Sequence, residues 1–323
     1  MLIVIIVVVV ALACAMGGFI GGVYAEKYYG VPLWQYEDRW SIGIYTGNSP
    51  FKQGSPSNLS NPVLTARDVT DIQASFVADP FMVRENATWY MFLEVMPAKT
   101  YLGKIAVASS NDGWHWAYQR IVIDEPYHLS YPYVFKWEND YYMIPDCRGA
   151  NAIRLYKAVD FPLRWLFVGT LLEGGYVDSS IFYHHDQWWI LAANSESNDT
   201  LRLFQAKNLM GPWAEHPQSP IISNDARISR PGGRVLSYNG RLFRHTQDCA
   251  TAYGTQLRAF EITELTPTSY QEREVTPSPF LQASGQGWNA DGMHHIDPHQ
   301  IGEGQWIACV ECNHRRRTFR LRW

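Results

Sequence analysis

Residues 79–95 read DPFMVRENATWYMFLEV. Two apolar runs flank a short polar stretch centred on Asn86, so the segment reads as strand, tight turn, strand. The same pattern returns four more times: YPYVFKWEND into YYMIPDC (131–147), DSSIFYHHDQ into WWILAANS (178–195), GGRVLSYNGR into LFRHTQDC (232–249), and HIDPHQIGEGQ into WIACVECN (295–313). After each of the first four hairpins comes a third apolar strand and a fourth, as in KIAVASSNDGWHWAYQRIVI (104–123) and LRAFEITELTPTSYQEREV (257–275). Four-stranded units at a period of roughly 50 residues are the sequence signature of propeller blades.

The fold class expected is therefore all-β, a five-bladed β-propeller over residues 76–323. The fifth unit runs only into TFRLRW and lacks its outermost strand, while WSIGIY at 40–45 is a strand with no blade of its own. Residues 25–75 are accordingly predicted to hold a closing strand, 40–45, and a Pro-, Ser- and Asn-rich connection to blade 1.

The 323 residues carry a net charge of −4, so no basic surplus points to nucleic acid. The chain holds 13 Trp, 19 Tyr and 14 Phe, a supply that suits strands and stacking on sugar faces. Residues 1–23 contain no charged side chain, which predicts a transmembrane signal-anchor helix or a signal peptide over 1–24. N-x-S/T sequons at Asn58, Asn86 and Asn198 favour a glycoprotein on the lumenal side of the Golgi or endoplasmic reticulum, or at the cell surface. The expectation is a single-pass membrane protein or a secreted one, with the membrane reached through the N-terminal helix. ALAC ahead of Ala15 is a poor lipoprotein box. Five cysteines are present, and the lone CVEC at 309–312 fits strand packing better than zinc. No metal and no other cofactor is expected.

In a propeller the innermost strand of each blade lines the channel, and the second strand runs back antiparallel to the same face. Two rings of residues therefore converge at one mouth. The innermost ring is Asp79, Tyr131, Asp178, the 230–233 turn with nearby Arg234, and the 295–297 stretch with His295 and Asp297. The second is Glu94, Asp146, Asn194, Asp248 and Glu311. A buried carboxylate costs several kcal/mol unless it is paired, hydrogen-bonded or facing a wet cavity. Acids at the same place in several blades thus mark either a functional mouth or carboxylates that cap backbone amides around the channel.

The stretches FVADPFMV, HLSYPYVF, YMIPDC, AVDFPLRW, VDSSIFYH, GPWAEHP, GGRVLSYNGRLFRHTQDC and YGTQLRAFEI cover roughly residues 40 to 320 in order. On these the chain resembles the glycoside hydrolase family 43-like propeller at the N-terminal end of plant glucosamine inositolphosphorylceramide transferases. The resemblance implies a role in glycosyl transfer to a glycosyl inositolphosphorylceramide, a sphingolipid. A glycan or glycolipid is then the expected partner, with a separate glycosyltransferase beside it. It also implies that Asp79 is the general base and Asp178 the aspartate that tunes the acid. The general acid of such hydrolases is a glutamate at the head of blade 4, where this sequence reads SRPGG with Arg230 in that place. An arginine there suits a phosphate or carboxylate of the substrate, assisted by Arg234, His128 and His295. Glu94, Tyr131, Asp146, Asp248 and Asp297 complete the expected substrate-binding set. Three functions follow: charged-glycan processing, a non-catalytic glycan-binding module, or a glycosidase whose acid is Asp146, Asp248 or Glu94.

Overall fold

The computed structural model of the chain describes residues 34–194 and 197–319. The expected anchor at 1–24 lies outside them, and no described helix is long and apolar enough to cross a membrane. Two compact units are present. One is a small antiparallel ribbon pairing Trp34–Glu37 with Arg316–Phe319. The other, Trp40–His314, is a five-bladed propeller.

Blades 1 to 4 follow the chain. Blade 1 runs Ala74–Glu85, Thr88–Pro97, Lys104–Ser110, Ala117–Ile123, from the channel outward, and blade 2 runs Ser130–Trp137, Asp140–Asp146, Ala152–Asp160, Arg164–Glu173. Blade 3 begins with Tyr176–His184 and Gln187–Asn194, and blade 4 with Leu236–Tyr238 and Arg241–Gln247. Every pairing within these sheets is antiparallel. Apolar residues of facing strands fill the gaps between blades, with Phe92, Tyr133, Ile144 and Trp165 in one fully formed cluster and Ile42, Met91, Val107's neighbour Ala106 and Ile307 in the next.

Blade 5 departs from expectation in its order. Gly292–Gly302 and Gln305–Asn313 are followed by Trp40–Ser49 as the third strand and Lys52–Gly54 as the fourth. The N-terminal stretch thus supplies two strands rather than the outermost one alone, and the described part of the C-terminal stretch, Arg316–Phe319, pairs with Trp34–Glu37 instead. The reason is burial. A third strand is covered on both faces, and all of Trp40–Tyr45 is buried, whereas the 316–322 stretch carries four arginines.

The innermost strands of blades 1 to 3 share one irregularity. After Ala78↔Glu94, Ser130↔Asp146 and Val177↔Ala193 the ladder gains an extra residue, and the residue that follows takes a left-handed backbone: Asp79 (φ 50°), Tyr131 (φ 45°) and Asp178 (φ 49°). Such conformations cost non-glycine residues roughly 1–3 kcal/mol and gather at functional sites. The bulges aim three equivalent side chains at the channel. Blade 4 meets the same place with Gly233 (φ 142°), where a Cβ would lie 1.9 Å from the Ile296 carbonyl oxygen, so only glycine fits.

Below the mouth the channel is filled. The Tyr131 hydroxyl accepts the Gly233 N–H at 2.8 Å, Phe81 and His295 pack against its ring, and Tyr133 packs against Phe81. Arg234 closes the far part with a two-point ion pair to Asp297 and a hydrogen bond to the Val134 carbonyl at 2.9 Å.

Candidate functional site: a carboxylate-lined cavity at the channel mouth

Above this plug lies a cavity of about 230 Å³. Its polar walls are Asp79, Glu94, Asp146 and Glu311, with His128, Arg148, Arg230 and His294, and Trp40, Phe76 and Tyr253 supply aromatic surface. Four of the five blades place a carboxylate there or directly behind it. The channel-facing bulges bring Asp79 and Asp178 up, and the ends of the second strands bring Glu94, Asp146 and Glu311.

Asp79 is the most connected. Its Oδ2 accepts the Tyr131 N–H at 3.1 Å, its own N–H donates to Glu311 Oε2 at 2.6 Å, and His294 Nε2 lies 3.4 Å from Oδ1. Burial alone would raise its pKa, but the hydrogen bond and charge of His294, with help from His295, outweigh it and hold the carboxyl down to about 2. The other acids move the opposite way. Burial, then the charges of Asp79, Asp146 and Asp178, push Glu94 well above the usual carboxylate range. Burial and the Asp79 charge do the same to Glu311, and burial with the Asp178 charge lifts Asp146 to about 7.

Asp178 accepts Arg230 Nε–H at 2.5 Å and Gln247 Nε2–H at 2.7 Å, and burial pushes its carboxyl up against the pull of Arg230. Arg230 also donates to Asn198 Oδ1 at 2.6 Å and lies 5.0 Å over the Tyr253 ring. The arginine in the acid's customary place is therefore an ion-pair partner of Asp178 standing at the cavity wall. His128 Nδ1 accepts the Gly103 N–H at 3.0 Å, and burial lowers its pKa, so this imidazole is neutral.

The remaining expected residues stand elsewhere. Tyr131 belongs to the plug. His295 is fully buried between Phe81 and Tyr131, with Nδ1 4.0 Å from Asp79 Oδ1 and burial driving its pKa down to about 4. Arg234 and Asp297 spend their hydrogen bonds on each other, on His299 and on backbone inside the channel. Asp248 accepts from the Ala250 N–H, Gln256 and Arg258 and ties its own loop. Asn194 accepts from Arg202 at 3.1 Å.

Among the wall residues, His294, Trp40, Tyr253, Phe76 and Arg148 fall outside the set expected from sequence. The His294 ring stands edge-on to Trp40 at 4.4 Å and tilted to Tyr253 at 5.0 Å. Asp79, His294 and Glu311 bring ligand atoms within 4.8 Å of one another, a grouping that invites comparison with a metal site. Asp79 lies 3.4 Å from Nε2 and Glu311 lies 3.3 Å from Nδ1, so the two acids also face opposite nitrogens of one ring.

The family described as "Glucosamine inositolphosphorylceramide transferase 1, N-terminal" matches residues 34–313. Proteins named glucosamine inositolphosphorylceramide transferase 1 are similar to this chain: that of Oryza sativa subsp. japonica is 35% identical over 297 residues, and that of Arabidopsis thaliana 34% over 300. Each alignment covers 85% of this chain and 39–40% of the relative, so the chain spans about two-fifths of their length. Among solved structures, the catalytic domain of the Coprinopsis cinerea GH62 alpha-L-arabinofuranosidase aligns with TM-score 0.57 at 15% identity, over 85% of this chain and 96% of its own. A beta-1,2-mannobiose phosphorylase from Listeria innocua aligns with TM-score 0.61 at 14% identity, over 83% and 96%. At such identities these two speak to the fold alone. With its match running through every blade of the ring, the chain belongs to the family of glucosamine inositolphosphorylceramide transferase 1 N-terminal domains.

Proposed function

We propose that the mouth cavity holds the sugar headgroup of a glycolipid of the inositolphosphorylceramide type during glycosyl transfer. One observation carries the reading: acids sharing a single cavity are driven apart, with Asp79 held at about 2 while Asp146 rises to about 7 and Glu94 and Glu311 rise well above their usual range. Groups separated in this way suit proton transfer to and from a hydroxyl. Asp79 is the ionised base, and Asp178 with Arg230 sets the field behind it. Arg230, always charged, faces the phosphorylated or carboxylated part of the headgroup. Trp40 and Tyr253 offer ring surface to a pyranose. A lumenal position at a secretory membrane, with a separate glycosyltransferase as partner, belongs to the same proposal.

A second reading is a glycosidase with a relocated acid, favoured by Asp146, whose carboxyl at about 7 keeps a proton near neutrality. The full chain is to be titrated with inositol-phosphate glycans and then assayed for turnover of those that bind. Asp79→Asn is expected to abolish turnover and keep binding, and Asp146→Asn to abolish turnover only under the glycosidase reading. A chain that binds no glycan ends both readings. Binding without turnover on any bound glycan reduces the site to one that presents acceptors.

A further inference from the structure

Blade 2 carries apolar surface on its outer rim that the mouth does not use. Its outermost strand, Arg164–Glu173, pairs with Ala152–Asp160 on one side and with no described strand on the other. At ten residues it is the longest such edge, against seven in blade 1 and five or fewer in blades 3 to 5. Six of the twelve large apolar side chains exposed among the described residues gather there: Val159, Leu163, Leu166, Phe167, Val168 and Met210, at 41–54%. Val159 and Leu163 stand at the hairpin turn, closed by the Leu163 N–H on the Asp160 carbonyl oxygen at 2.8 Å. Met210 reaches over from blade 3, its Cε 2.5 Å from where a Gly169 Cβ would stand. Single exposed apolar side chains are ordinary, but a contiguous group marks a contact surface.

The charges around this patch say what covers it. Asp160, Arg164, Glu173 and Lys207 are exposed, and none forms an ion pair among the described residues. An anionic bilayer would attract the two cations and repel the two acids, and a strongly acidic or basic protein would meet the same conflict. A copy of the same surface turned by a twofold answers both signs. Against Ala152–Asp160 the strand's ladder skips Val168 and Leu171, and such bulges hinder a further strand from joining the edge. Copies therefore meet through side chains rather than by extending the sheet.

We propose that two copies of this chain form a twofold dimer through the outer rim of blade 2, with Leu166, Phe167, Val168 and Met210 at its centre. The axis crosses the strand near Val168 and Gly169, so the strands run antiparallel and Arg164 of each copy faces Glu173 of the other. A parallel arrangement stacks Arg164 on Arg164 and Glu173 on Glu173, and like charges oppose it. The patch is small, so the dimer dissociates on dilution. None of its residues lines the cavity, which stays open in both copies. The inference stands apart from the glycan reading.

The test is analytical ultracentrifugation of the full chain in non-ionic detergent, with cross-linking to locate the contact. A monomer–dimer equilibrium is expected, and Leu166→Asp with Val168→Asp should raise its dissociation constant at least about tenfold. Arg164→Glu should weaken the dimer too, and Glu173→Arg added to it should restore it. Val168→Cys is expected to join copies through a short bis-maleimide, whereas the wild-type chain and Ile301→Cys, exposed on blade 5, are not. All these side chains are exposed, and thermal unfolding checks that each variant folds. A chain that stays monomeric at high micromolar concentration overturns the dimer. So does a dimer indifferent to Leu166→Asp and Val168→Asp, or one joined through Ile301→Cys instead. Failure of Glu173→Arg to rescue Arg164→Glu overturns the antiparallel pairing and the twofold with it. A monomer that binds phosphatidylserine vesicles, and releases them on Leu166→Asp with Val168→Asp, assigns the patch to a bilayer and also overturns the proposal.

Discussion

Arg230 of the turn before blade 4 donates its Nε–H to Asp178 of blade 3 at 2.5 Å, side chains only 15% and 3% exposed. The arginine at the place where the sequence resemblance expects a hydrolase's acid is thus bound to the aspartate expected to tune that acid.

Removing one partner of a buried ion pair strands the other. Arg230→Ala is therefore expected to destabilise the chain by about 3–5 kcal/mol, read as a lowered midpoint of chemical unfolding. Arg230→Lys keeps the charge but not the second bond to Asn198, and should lose less. A wild-type midpoint for Arg230→Ala would show that the pair contributes nothing to the fold.

Asp146 gives a pH dependence with a definite sign. Its folded pKa of about 7 stands above its ordinary value of 3.8, so the folded state holds the proton more tightly. The stability it confers is full below about pH 4 and is lost as pH rises toward 7, by roughly 1.4 kcal/mol per unit at most. Asp146→Asn, which keeps a neutral amide at every pH, should flatten that decline, and unfolding curves from pH 4 to 8 measure it. An unchanged slope would mean that Asp146 titrates normally.

The plug depends on Tyr131 and Gly233. Tyr131→Phe deletes the acceptor of the Gly233 N–H and should cost about 1–3 kcal/mol through the buried donor left behind. Gly233→Ala places a methyl 1.9 Å from the Ile296 carbonyl oxygen at a φ of 142° and should prevent folding altogether. Circular dichroism and expression in soluble form check both, and a folded Gly233→Ala would contradict the close approach of blades 4 and 5.

Blade 5 supplies the fourth prediction. Deleting residues 40–49 removes the strand paired with Gln305–Asn313 from Trp40↔Asn313 to Gly47↔Trp306. The exposed ladder and the lost Ile42 and Ile44 packing should abolish cooperative unfolding. A cooperative transition at the original midpoint would sink the closure.

The repeat was legible because turn residues and apolar alternation recur at one period, and the acids were legible because they recur with it. Depth was not. Alternation puts Asp297 on the face of His295, yet nothing in the letters says that Arg234 from the next blade waits there inside the plug. Nor do they show the bulge between Met293↔Cys312 and His295↔Glu311, which leaves His294, rather than His295, on the cavity wall. Asp248 aligned with the second ring by spacing, but the ladder of blade 4 bonds through Gln247, and Asp248 has already turned into its loop. Trp40 and Tyr253 lie outside the hairpins that reveal the repeat, one heading the closing strand and one in a connection, so no period pointed to them.

The neighbours Trp40–Ser49 and Gln305–Asn313 are also far apart in time. On a translating ribosome the first leaves the exit tunnel about 260 residues before the second, a wait on the order of tens of seconds at ordinary elongation rates. Throughout it, an apolar strand with one edge bare, and only the short Lys52–Gly54 strand against the other, has no sheet to join. Blades 1 to 4 have the means to form in sequence as they emerge, but the ring cannot shut until the last hairpin is made. Whatever shields that waiting strand, a chaperone or a transient pairing, governs how much of the protein reaches its native form.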